Sequence, residues 1–264
     1  MDETSHLPWA GWRQSYLPIR VGPMPAEAVS LRQIGDVEGL APLVDRIAAG
    51  FAADRLYAML TALHYAVGAV SQLLVAPFAL DGVSLAATPD ASGIVLDSSA
   101  SLTAVWIQGG IATHSDSSTT SLGETLLATL GPIRTATATL SGMPGRVVTL
   151  IVMDALYRSC RRLERAAECR VESGWVDALL SAMSDPERPA RRTFLVTPDA
   201  GPSIAMTIPR VCCVLATGHE DHACPTCPQR SANNRRETTE AWLQSLDDGA
   251  FLAETGRLPI RASH

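Results

Sequence analysis

From Leu40 onward apolar residues recur at helical spacing. Leu40, Val44, Ile47 and Phe51 form one set, and Leu56, Met59, Leu60, Leu63 and Val67 repeat it after the polar break at Asp54 and Arg55. This pattern predicts one long helix or two consecutive ones, ending before Pro77, because an interior proline lacks the N–H that the helix needs. His64 within it reads as a core or edge histidine with an ordinary partner rather than as a ligand. Residues 1–40 carry Pro8, Pro18, Gly22, Pro23 and Pro25 and read as loops and short turns laid over the body. Between Gly82 and Gly110 the period falls to two. There "GVSLAAT", "GIVLDS" and "LTAVWIQGG" are separated by Pro-Asp, Ser-rich and Gly-Gly punctuation, which predicts an antiparallel meander.

Helical spacing then returns. Ser121 stands before "LGETLLATLG" with Glu124 three residues on, the pattern of a capping box. Pro144 and Gly145 introduce "RVVTLIVMDALYRSCRRLERAA", whose apolar first half gives way to Arg158, Arg161, Arg162 and Arg165. Cations suit the C-terminal end of a helix dipole, and this group is either a solvated face or a patch for an anionic partner. "GWVDALLSAM" predicts a shorter helix, and "RTFLVT" and "SIAMTI" predict two strands. "ETTEAWLQSL" predicts a last helix with Trp242 and Leu246 on one side. Helices and strands come in blocks rather than in βαβ alternation, so the expected class is α+β: helical bundle segments packed with an antiparallel meander.

Composition narrows the function. The 264 residues are 47% hydrophobic and 18% charged, a chain that buries a core. A formal net charge of −6 argues against a nucleic-acid partner. Every basic side chain counted among the 21 is arginine, so lysine chemistry is excluded. The opening "MDETSHLPWAGWRQS" sets acids and two tryptophans ahead of any apolar run, unlike a secretory leader. The apolar stretch Leu56–Leu80 is interrupted by His64, Gln72 and Pro77 and reads as core, not as an integral membrane segment. The expected setting is therefore the reducing cytoplasm, where clustered thiols bind metal or do redox work more often than they form disulfides.

Four of the six cysteines fall in "CCVLATGHEDHACPTC". Soft thiolates select zinc, iron–sulfur clusters or Cu(I). The two-residue gap of Cys224-Pro-Thr-Cys227 lets two sulfurs reach one metal from a tight turn. Cys212 and Cys213 are adjacent, and neighbours in an extended strand point opposite ways. Structural zinc sites favour two knuckles of the spaced kind; a [2Fe–2S] rhomb tolerates the adjacent pair better, because its two irons need two ligands each. Zinc and a dithiol/disulfide pair remain as alternatives. His219 and His222 lie inside the loop, either as solvated residues or as proton-coupled ones. Arg210, just ahead of the set, either stabilises added negative charge or is an ordinary strand-end arginine. Cys160 and Cys169, nine residues apart on one predicted helix, fall outside the set as buried or half-exposed thiols. Trp9, Trp12 and Trp106 are the aromatic candidates for a pocket, with core packing the default for each.

The segment "RVCCVLATGHEDHACPTCP" resembles the FhuF-like ferric siderophore reductases, and the block order ahead of it is similar in general outline. The resemblance implies that Cys212, Cys213, Cys224 and Cys227 ligate a [2Fe–2S] cluster. It implies a cytoplasmic oxidoreductase that passes an electron to siderophore-bound Fe(III), of hydroxamate type, and releases Fe(II). The electron would come from a ferredoxin or flavoprotein reductase. All-thiolate ligation suits the task, since Cys-ligated clusters lie near about −400 mV and His-ligated ones between roughly −150 and +300 mV. The organisation expected is a reductase-like α+β body over 1–210, the cluster segment over 211–228 and a helical extension over 229–264. That extension departs from the family, whose chains are expected to stop soon after the last cysteine. The competing reading is a zinc-stabilised, non-catalytic module that binds a siderophore or a protein. A thioredoxin-like role for Cys-Pro-Thr-Cys lacks the βαβ setting, and a siderophore-synthetase relative lacks a phosphate-cradling glycine motif.

Overall fold

The computed structural model describes residues 19–82, 84–85, 87–108, 113–114, 118–165, 174–183, 193–199, 201–210 and 224–248. Helix α1 (Leu31–Ile34) opens on a complete capping box. Ser30 Oγ accepts from the Gln33 N–H, and the Gln33 side chain accepts from the Ser30 N–H. Asp36 caps α2 (Val37–Phe51) and Asp54 caps α3 (Arg55–Val70), its Oδ1 2.7 Å from the Tyr57 nitrogen. The polar break that splits the apolar pattern is thus a helix start.

Helix α3 does not stop before Pro77. It continues through a π turn at Ser71–Val75 into α4 (Ala76–Asp81) and ends at Gly82 in the left-handed region, φ +66°. The Ala76 N–H donates to the Ser71 carbonyl, five residues back. That register shift makes Pro77 an early residue of a fresh α turn, where a missing N–H leaves no bond unmade. The composite helix Arg55–Ala79 is long and apolar enough to cross a membrane, but 83% of its most apolar window is buried inside the protein. It packs against α2, α5 (Thr119–Ser141) and α6 (Gly145–Arg165). Helix α7 (Trp175–Ala182) lies against α5 and α6.

The N-cap of α5 is Ser118, whose Oγ accepts from the Ser121 N–H at 3.1 Å. The helix therefore starts ahead of the capping box expected at Ser121 and Glu124. The hydroxyl that caps is the one whose residue is still extended, at φ −101° and ψ 151°.

Four strands form a mixed sheet in the order β1-β5-β4-β2, from β1 (Ile19–Val21), β2 (Val29–Ser30), β4 (Ser92–Leu96) and β5 (Leu102–Ile107). β4 and β5 are the expected antiparallel hairpin, but β1 lies parallel to β5. β3 (Ser84–Leu85) leaves the expected meander and pairs with β6 (Thr113–His114) in a separate ladder. The period of two is real. Ile94, Leu96, Val105 and Ile107 enter the main core, while Val95, Ala104 and Trp106 form a second cluster with Met24 and Ala28. Helices and strands in blocks around one large core make the class α+β.

A third cluster lies in the C-terminal part. β7 (Thr193–Val196) and β8 (Ile204–Thr207) form an antiparallel hairpin. Val196, Ile204 and Met206 pack with Leu243 of α8 (Ala232–Ser245), flanked by Phe194, Trp242 and Leu246. Polar contacts tie the same elements. The Thr197 N–H donates to Glu240, and Gln244 Nε2 donates to the Pro198 carbonyl at 2.6 Å. The described part of the 229–264 extension therefore shares its core with the strands that lead into the cysteine segment.

Candidate metal-binding segment

The chain leaves β8 and reaches Arg210, two residues before Cys212. Arg210 is held by Asp154 of α6. Asp154 Oδ2 accepts from the Arg210 main-chain N–H at 2.6 Å, and Oδ1 accepts from Nε at 2.8 Å. Both side chains are over nine-tenths buried, at 8% and 7% exposure. Excluding water makes this charge-assisted pair geometrically demanding. Asp154 sits in "LIVMDALY", a buried acid inside an apolar helical run. That is the sequence signal for a buried cation partner, although it does not say which one. Arg210 is thus a neutralised anchor at a strand end.

Residues 211–223 lie outside the described residues, and with them Cys212, Cys213, His219 and His222. Cys169, Trp9 and Trp12 lie outside as well. The chain is described again at Cys224. Cys224-Pro-Thr-Cys227 is a turn closed by the Cys227 N–H donating to the Cys224 carbonyl at 2.9 Å. Cys227 is buried and Cys224 half-buried. The two-residue gap is thus a closed turn with Cys224 and Cys227 as its first and last residues.

That turn rests on the start of α8. Arg230 Nε donates to the Cys224 carbonyl at 3.2 Å, and its Nη1 donates to Asn234 Oδ1 at 2.6 Å. Arg235 Nε donates to the Cys227 carbonyl at 3.0 Å, and Thr239 Oγ1 to the Pro225 carbonyl at 3.1 Å. Ser231 caps α8 through the Asn234 N–H. None of Arg230, Arg235 and Thr239 is marked by a motif. Their role depends on the chain turning back on itself after Pro228, which no local pattern records.

The remaining candidates are placed elsewhere. Cys160 is buried in α6. Trp106 is buried on β5 in the cluster with Val95 and Ala104 and does not line the cleft described below. His64 lacks the ordinary partner expected of it: its Nδ1 is sealed from solvent with no hydrogen bond among the described residues. Burial, and then the charge of Arg158, pushes its pKa down to about 4, so the ring is neutral near pH 7. Arg161 is occupied by Tyr157, whose hydroxyl accepts from Nε at 2.9 Å, and by Asp177 at 3.8 Å. An intramolecular network thus holds part of the arginine group read as a solvated face or an anion patch.

A cleft of about 430 Å³ opens between the π turn, the stretch after β3 and the first half of α5. Leu74, Leu85, Pro89 and Leu122 supply apolar walls, and Thr88 and Thr125 supply hydroxyls. Its lining comes from elements other than those carrying the cysteine turn. Among the described residues no three His, Cys, Asp or Glu side chains converge to hold a metal ion. The described half of the proposed set is the Cys224–Cys227 pair.

No protein-family model matches the chain, and no curated protein matches it in sequence.

Proposed function

We propose that this protein is a ferric siderophore reductase. In this reading Cys212, Cys213, Cys224 and Cys227 hold a [2Fe–2S] cluster, and the substrate is a cytoplasmic ferric siderophore of hydroxamate type. The observation that carries the reading is the closed Cys224-Pro-Thr-Cys227 turn, in which a buried and a half-buried cysteine are supported from behind by α8. Such a turn suits two thiolates of one metal centre. When bound, the cluster supplies single electrons at low potential.

The chain's own residues then have positioning tasks. Asp154 fixes the approach to Cys212 through Arg210, and α8 fixes Cys224 and Cys227. Arg210 and the Cys224–Cys227 turn are thus each held by elements with their own buried contacts. No acid–base group is required of the protein. A hexadentate oxygen chelator binds Fe(III) through hard donors and Fe(II) far more weakly, so reduction itself is the release step. The electron donor fits the class of ferredoxins or flavoprotein reductases.

The test is anaerobic purification with iron and acid-labile sulfide analysis, followed by single-turnover oxidation of the dithionite-reduced protein by a panel of ferric siderophores. Two irons and two sulfides per chain, with reoxidation by hydroxamate complexes and trapping of Fe(II), are expected. A colourless protein with one zinc and no labile sulfide would replace this reading with the zinc-stabilised binding module.

A further inference from the structure

Arg235 is a buried cation, 8% exposed, on the first turns of α8. Its Nε donates to the Cys227 carbonyl at 3.0 Å, and its Nη2 donates to the carbonyls of Pro228 at 3.2 Å and Arg230 at 2.5 Å. The guanidinium carbon stands 5.8 Å from the centre of the Phe194 ring on β7. Among the described residues no carboxylate pairs with it. A buried guanidinium without a carboxylate is costly unless its donors are met. Here three main-chain carbonyls within residues 227–230 and an aromatic face meet them.

Among the described residues, side chains bond five carbonyls of this short segment: Cys224, Pro225, Cys227, Pro228 and Arg230. All five bonds come from Arg230, Arg235 and Thr239, on or just ahead of α8. The segment has no strand or helix of its own to satisfy these groups. Two main-chain bonds close the segment on itself, from the Cys227 N–H to the Cys224 carbonyl and from the Arg230 N–H to the Cys227 carbonyl, and the side-chain bonds fasten it to α8, which packs on the β7–β8 hairpin through Leu243.

We propose that α8 is a built-in clamp, with Arg235 as its positioning residue, that holds the Cys224–Cys227 pair in its chelating turn before any metal arrives. The ligand half of this inference rests on reading these cysteines as metal ligands. A turn held in advance lowers the ordering entropy of metal capture, so a soft metal engages this pair as a preformed half-site. Outer contacts of this kind typically govern metal affinity by about 10–100-fold.

The experiment uses the full chain, metal-free and reduced, as wild type, Arg235→Gln, Arg235→Lys and Thr239→Val. Amide hydrogen exchange reads the 224–230 segment directly, and cobalt(II) titration reads thiolate-to-metal charge-transfer absorbance. The wild type is expected to protect the Cys227 amide without metal. Arg235→Gln is expected to lose that protection while 193–207 and 240–246 keep theirs, and to bind cobalt about 10–100-fold more weakly. Arg235→Lys is expected to recover much of the affinity. Should Arg235→Gln fail to fold, Thr239→Val gives the reading, with faster exchange confined to the turn. An unprotected wild-type turn, or unchanged exchange in both variants, overturns the clamp. Absence of thiolate–cobalt absorbance in the wild type overturns the metal reading instead, on a different signal.

Discussion

Asp154 and Arg210, 56 residues apart in sequence, meet in a buried two-point contact in which one carboxylate receives both the main-chain and the side-chain N–H of the arginine. Removing the acid leaves a guanidinium and an amide without it in a dry site. Asp154→Ala is expected to lose about 3–5 kcal/mol of stability by urea unfolding. A double replacement by apolar residues, Asp154→Leu with Arg210→Met, is expected to recover most of that loss, because both charges leave together. A single variant with the wild-type midpoint would show that the contact is no anchor.

On the proposed reading the cysteines divide into ligands and bystanders. Cys224→Ser is expected to lose the visible absorbance and bound iron while keeping the wild-type far-UV circular dichroism. Cys160→Ala, deep in α6, is expected to keep the full metal content. Retention of absorbance in the first variant, or its loss in the second, would reverse the assignment.

His64 gives a pH dependence with a definite sign. Its folded pKa, about 4, lies below the ordinary value of 6.5, so the unfolded chain takes up the proton first as pH falls. Stability from this group is complete above about pH 6.5 and declines between there and about pH 4, by at most about 3 kcal/mol. Urea midpoints measured from pH 7.5 to 4.5 should fall along that limb, and His64→Gln should flatten it. Parallel curves for the two proteins would remove His64 as the cause.

Gly50, near the end of α2, passes against the β4–β5 turn. A Cβ there would stand 2.6 Å from the Ser99 carbonyl oxygen and 2.7 Å from the Ala100 Cβ. Arg46, one helical turn earlier, donates to the Leu96 and Asp97 carbonyls at 3.0 and 3.1 Å, so the turn has little room to retreat. Gly50→Ala is expected to cost about 1–3 kcal/mol, read as a lower melting temperature. An unchanged melting temperature would mean that the turn yields.

What the sequence made legible was local. The period of two over 92–107 is written within a few residues and formed, and the last helix was legible from Glu237 onward, although it starts earlier, at Ala232 behind the cap of Ser231. Pro77 misled because a π turn five residues wide resets the helical register, and nothing in "SQLLVAP" forces that choice over a break. The parallel seat of β1 beside β5 brings together strands about 85 residues apart, beyond any periodicity. Asp154 was visible as an acid in an apolar run, but its partner was not. Arg235 and Thr239 gave no signal at all, since bonding a main-chain carbonyl demands no particular residue in return.

The location of α8 bears on how the finished protein is made. During translation Cys212, Cys213, Cys224 and Cys227 all leave the ribosome before Arg235 and Thr239 do, and well before Leu243 can seat α8 on its hairpin. On the proposed reading, a chain that has emerged only as far as Cys227 presents its thiols before the residues that support the Cys224–Cys227 turn. Truncation just past Cys227 would leave a protein with every sulfur present and a turn that has lost its support.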